Sequence, residues 1–107
     1  MYLQINNKSY QVEEYNSFFK RLTGLMFKKK ANNKIICFPK CNSIHTFFCF
    51  QNIDICMTDK NNKILYIYKN FEPWKIIFPK KNVYYTYEMP LGYANKLKIN
   101  DTLKKTL

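Results

Sequence analysis

Ile53-Asp54-Ile55-Cys56-Met57-Thr58-Asp59-Lys60-Asn61-Asn62-Lys63-Ile64-Leu65-Tyr66-Ile67-Tyr68 is the stretch that decides the fold. Ile53, Ile55 and Met57 alternate with Asp54, Cys56 and Thr58, a period of two that marks a strand. Residues 59–63 are wholly polar, and Asn tolerates the positive φ that a tight turn needs. They predict a hairpin turn, with residues 64–68 as the return strand.

The same pattern repeats outward. Residues 34–38 read as a buried strand and Pro39-Lys40-Cys41-Asn42 as a turn. Further strands are expected at residues 45–50, 75–78 and 83–89. In the last of these, Val83, Tyr85, Tyr87 and Met89 share one face and Tyr84, Thr86 and Glu88 the other, one face being core and the other exposed. Residues 2–6 and 10–14 form two strands around Asn6-Asn7-Lys8-Ser9, and the tail from Thr102 forms a last edge strand. One helix is expected near residues 16–28, capped by Asn16 or Ser17, with Phe18, Leu22, Leu25 and Met26 on one apolar stripe. A short second helix is expected over residues 93–97. Many short strands with regular turn signals predict a mainly β (α+β) domain, a small antiparallel sheet or barrel-like fold.

At 107 residues the chain makes one domain. Its 47% apolar and 18% aromatic content excludes a disordered chain. The net charge of +11 admits either a polyanion-binding surface or a merely solvated basic one. Lysine supplies the charge and Arg21 is the sole arginine. Base readout leans on the arginine fork, so sequence-specific nucleic-acid recognition is not expected. The lysines are spread along the chain, with Lys28-Lys29-Lys30 the densest run. No leader and no membrane span is visible, and the chain reads as soluble and cytoplasmic.

Cys37, Cys41, His45 and Cys49 recur every four residues. Pro39 and the strand pattern exclude the helix that would gather them. On an extended strand four residues span about 13 Å, so neighbours in the series share no metal without a turn between them. No metal site or cofactor is expected, and small buried apolar cysteines are the default reading.

Several blocks together resemble a known family. They are Arg21 with Gly24-Leu25-Met26, the run Ser43-Ile44-His45-Thr46-Phe47-Phe48, Ile53-Asp54-Ile55 with Asp59, Pro73-Trp74, Glu88 with Gly92, and Asp101. In this order the chain resembles the domain-of-unknown-function 192 family, also called uncharacterised protein family 0127, over roughly residues 17–103. Asn61-Asn62 replaces an Asp-Gly type of turn, and Asn100 stands where a glycine normally precedes Asp101. The resemblance implies a compact β-rich fold with a short helix near the start, and no reaction.

The residues with chemistry to offer are His45, Thr46, Asp54, Trp74 and Glu88. If the Asp54 and Glu88 strands line one cavity, His45 can join them in proton-transfer or hydrolytic work. The plainer alternative is that both carboxylates accept backbone N–H bonds, that His45 bonds a carbonyl, and that Trp74 plugs a barrel end. Three functions follow. The first is a non-catalytic binding or accessory module, with a protein as the natural partner. The second is a small acid–base hydrolase using His45 with Asp54 or Glu88, and the third is a polyanion binder using surface lysines.

Overall fold

A computed structural model of the chain describes residues 1–15, 34–46 and 51–106. The described residues form nine strands: β1 (Tyr2–Ile5), β2 (Lys8–Glu14), β3 (Ile35–Pro39), β4 (Ile44–His45), β5 (Ile53–Thr58), β6 (Ile64–Phe71), β7 (Ile76–Ile77), β8 (Tyr85–Met89) and β9 (Lys104–Thr106). A 3-10 helix covers Tyr93–Lys96. Seven strands make one sheet in the order β6-β5-β8-β3-β2-β1-β9, while β4 and β7 form a separate ribbon. The fold is mainly β, as expected, but the sheet is mixed: β2 and β3 run parallel and the other pairs antiparallel.

The hairpin forms where the alternation placed it. Asp59 Oδ1 accepts the Asn61 and Lys63 N–H groups at 2.9 and 3.0 Å, and Asn62 takes φ 64. Asn6, Asn7, Asn70, Asn82 and Asn100 also sit at positive φ, so this asparagine-rich chain turns on asparagine where others use glycine. β6 runs past Tyr68 to Phe71 with an extra residue between the Ile55–Tyr68 and Ile53–Phe71 pairs, and Asn70 lies in this bulge.

Both sheet faces are covered. Every residue of β5 is buried. In β8, Thr86 and Glu88 are as enclosed as Tyr87 and Met89, which corrects the expectation of one exposed face. One face carries Leu3, Ile5, Val12, Ile35, Cys37, Cys56, Ile64, Tyr87, Met89, Ala94 and Leu103. The other carries Ile53, Ile55, Met57 and Ile77 in one cluster and Tyr15, Ile36 and Phe38 in a second, with Ile44 packed on both. Since Ile44 belongs to β4 and Ile77 to β7, the ribbon covers this second face. Each such side chain stabilises the fold by about 1.5–3 kcal/mol, more than any one turn.

The sheet curls into a half-barrel and its edges meet. Ile64 N–H donates to Asp101 O and Asn100 N–H to Ile64 O, both at 2.8 Å, and Leu103 N–H donates to Asn62 O at 2.9 Å. β9 and the 3-10 helix fall where a final edge strand and a short helix were expected. Pro39 closes β3 instead of opening a turn. The helix expected near residues 16–28, and residues 47–50 of the strand expected at 45–50, lie outside the described residues.

Candidate functional site

Asp54 and Glu88 lie on adjacent strands but point to opposite faces. Asp54 pairs with Met89 and Ile55 with Glu88. Directly paired residues share a face and successive residues alternate. Asp54 therefore projects with Cys56 and Met89, and Glu88 with Ile36 and Ile55. This register places no shared cavity between the two carboxylates.

The Asp54 carboxylate is saturated by backbone. Oδ1 accepts the Asn70 N–H at 2.9 Å, and Oδ2 accepts the N–H groups of Gly92 and Ala94 at 3.0 and 2.9 Å. One side chain thus holds the β6 bulge and the entry to the 3-10 helix, where Gly92 supplies φ 94. This is the plainer of the two roles that the sequence left open for it.

Glu88 contrasts with it. Its side chain is 4% exposed, its cross-strand neighbours are Ile36 and Ile55, and Oε1 has no hydrogen-bond partner among the described residues. Removal from water pushes its carboxyl up from 4.5 to about 8, so it carries its proton at neutral pH. Burial likewise pushes the thiols of Cys37 and Cys56 up to about 11 and about 12, which leaves both as inert core thiols.

His45, Thr46 and Trp74 come together at the ribbon. Thr46 is buried and locks the corner of residues 72–75. Its hydroxyl donates to Glu72 O at 2.8 Å and accepts the Lys75 N–H at 3.0 Å. Its backbone N–H donates to Lys75 O, and its carbonyl accepts the Trp74 N–H, both at 2.9 Å. Trp74 is held at φ 63, a left-handed conformation that bulky residues rarely adopt. It is 59% exposed, which corrects the barrel-end plug expected of it. Ile76 and Phe78 are exposed at the next alternate positions, and exposed His45 pairs with Ile76 across the ribbon.

Exposed Ile76 and Phe78 flank buried Ile77, and the sequence reading did not single them out; their signal is the apolar run Ile76-Ile77-Phe78, longer than one buried face needs. Among the described residues no cluster of His, Cys, Asp and Glu is arranged to hold a metal ion. No helix in the described residues is long and apolar enough to cross a membrane.

The comparisons agree with this architecture. The DUF192 family, described as uncharacterised ACR, matches residues 1–104, and the chain belongs to that family. A UPF0127 protein of Pyrococcus horikoshii is 35% identical over 92 residues, 82% of this chain and 79% of that protein. A UPF0127 protein of Thermococcus kodakarensis is 29% identical over 96 residues, which are 85% of this chain and 60% of that longer protein. Among solved structures, a protein of unknown function from Novosphingobium aromaticivorans superposes with a TM-score of 0.80 at 16% identity, covering 97% of this chain and 82% of its own. A transcription-regulator candidate from Sinorhizobium meliloti superposes equally well, at 18% identity, with 96% and 89% covered. At such identities these two structures speak for the fold alone.

Proposed function

We propose that the chain is a non-catalytic binding module that recognises a protein partner through the outer face of the β4–β7 ribbon. Trp74, Ile76, Phe78 and His45 make up that face. The observation that carries this reading is Trp74: a large aromatic held in a strained backbone conformation, secured by the buried Thr46, and left 59% exposed. A strained residue costs about 1–3 kcal/mol, and such residues cluster at functional sites. Exposed aromatic and aliphatic side chains grouped on one face are the usual anchors of an interface. Of the five site residues drawn from the sequence, His45, Thr46 and Trp74 serve this face, while Asp54 and Glu88 belong to the sheet beneath.

The acid–base alternative has less support. It needs His45 and a carboxylate within about 3 Å, or one water, of a common point. Asp54 already accepts three backbone N–H bonds on the far face.

Site-directed photo-cross-linking in living cells of the host organism tests the proposal. A cross-linking residue at Phe78 is expected to give a discrete protein adduct that disappears in a Trp74→Gly background. The same residue at exposed Gln4 is expected to give none. No discrete adduct at Phe78, or the same pattern from Gln4, overturns the proposal.

A further inference from the structure

The fold gathers basic residues that the sequence scatters. β3 ends, β5 turns into β6, and β8 begins, all at one end of the sheet. Three segments meet there: residues 40–42, 58–63 and 79–85. Tyr84 N–H donates to Thr58 O at 2.8 Å, Cys41 N–H to Tyr84 O at 2.9 Å and Lys80 N–H to Asn42 O at 3.0 Å. These bonds fix the three segments as one rim. It carries Lys40, Lys60, Lys63 and Lys81, all exposed, and half-buried Lys80. Of the carboxylates near it, Asp59 is engaged by the backbone of its own turn, and exposed Asp101 lies at the Lys63 side, where Lys63 bridges Thr102, away from Lys60, Lys80 and Lys81 in sequence.

Tyrosines interleave with these lysines. Lys60 Nζ lies 5.7 Å from the ring centroid of Tyr84, and Lys80 Nζ lies 5.5 Å from that of Tyr66. Tyr84 and Tyr85 meet edge to face at 4.7 Å. Tyr66 is 37% exposed and faces the rim from the first half of β6.

We propose that this Lys–Tyr rim binds single-stranded nucleic acid without sequence preference. Lysines that track a backbone beside aromatic rings that stack bases are the two components of such a site. Lysine suits the phosphates as a mobile point charge, and the scarcity of arginine fits a site that reads no base edge. The ammonium groups over Tyr66 and Tyr84 are positioned to move onto phosphates as bases take their place on the rings. The rim adjoins the ribbon, since Lys80 bonds Asn42 just past the Ile44–Ile77 pair, but its lysines and tyrosines are not residues of the apolar face, so different substitutions test the two proposals.

Fluorescence anisotropy with a labelled 12-nucleotide oligo(dT), titrated with NaCl, tests it. Two charge-matched triples are compared: Lys60→Gln/Lys80→Gln/Lys81→Gln at the rim, and Lys8→Gln/Lys69→Gln/Lys96→Gln, drawn from exposed positions outside it. The rim triple is expected to weaken binding about tenfold or more at low salt, and to reduce the slope of log K against log salt by about 2. The control triple is expected to weaken it less than about threefold. Tyr66→Ala is expected to weaken oligo(dT) binding about tenfold, since one stacked base is worth about that much, and to leave inorganic polyphosphate binding unchanged. Equal weakening by both triples reduces the effect to net charge and overturns the proposal. So does the absence of salt-dependent binding, or Tyr66→Ala leaving oligo(dT) affinity intact. Polyphosphate binding at least as tightly as oligo(dT) of equal charge assigns the rim to bare phosphate chains and overturns the nucleic-acid assignment.

Discussion

Asp54 and Glu88 are buried to 1% and 4% exposure on neighbouring strands of one sheet, and the fold treats them in opposite ways. On the Asp54 face the carboxylate knits a bulge, a glycine turn and a 3-10 helix into the sheet. On the Glu88 face a carboxyl lies between Ile36 and Ile55 with one oxygen unpartnered among the described residues. The ribbon that covers this second face also holds Trp74 in its left-handed conformation. The first face is framework. The second accumulates desolvation and strain, and it is the face over which the exposed aromatic is displayed.

The largest effect is expected at Asp54. Asp54→Ala leaves three N–H groups without their acceptor. At about 1.5–3 kcal/mol for each bond to a charged group, the loss is on the order of 5 kcal/mol. That approaches the whole stability of a small domain, about 5–15 kcal/mol. Urea unfolding is expected to show a much lower midpoint or no folded baseline. A loss under about 1 kcal/mol contradicts the framework role.

A smaller effect, with the opposite pH logic, is expected at Glu88. The folded chain keeps this proton up to about pH 8, whereas an exposed glutamate releases it near 4.5. Between those values the folded state binds one more proton than the unfolded state, so stability falls as pH rises. The slope is about 1.4 kcal/mol per pH unit, or roughly 3 kcal/mol between pH 5 and 7.5. Glu88→Gln is expected to remove most of that decline in denaturant curves at the two pH values. Parallel declines in both proteins would assign it to other groups.

The smallest effect is expected at Trp74. Glycine accepts φ 63 without strain, and that relief offsets the greater unfolded-chain entropy of glycine and the loss of a partly covered indole, so Trp74→Gly is expected to change stability by less than about 1 kcal/mol in thermal unfolding. A loss above about 2 kcal/mol makes Trp74 a packing residue and breaks the contrast between the two faces.

The sequence showed the strands far better than the faces. The alternation in residues 53–58 and the asparagine turn at 59–63 are local, and both appear as expected. The parallel pairing of β2 with β3 is not local, because it joins Val12 to Ile35 and Glu14 to Cys37, residues far apart in sequence. Alternation alone placed Asp54 with Cys56, and Glu88 with Thr86. Whether the two carboxylates meet depends on the β5–β8 register, and a slip of one residue would put them on one face. Nothing in the alternation reveals that register, nor the bonds from Gly92 and Ala94 to Asp54 that accompany it. Nothing in Pro73-Trp74 announced a left-handed tryptophan, since Trp rarely adopts that conformation and Thr46, which enforces it, is distant in sequence. The Lys–Tyr rim was hidden in the same way, as three separated segments that only the topology unites.

The central claim is that the two buried carboxylates are independent, one structural and one a protonated acid on the opposite face, and do not form a shared acid–base centre. Carboxyl carbon-13 NMR of labelled glutamate and aspartate across pH 3–9, with Glu88 assigned by its loss in Glu88→Gln, tests this most directly. The account expects a single Glu88 step near pH 8 and no response of the Asp54 carboxyl to that step. A Glu88 midpoint in the ordinary carboxylate range, or two steps shared with Asp54 or His45, would contradict it.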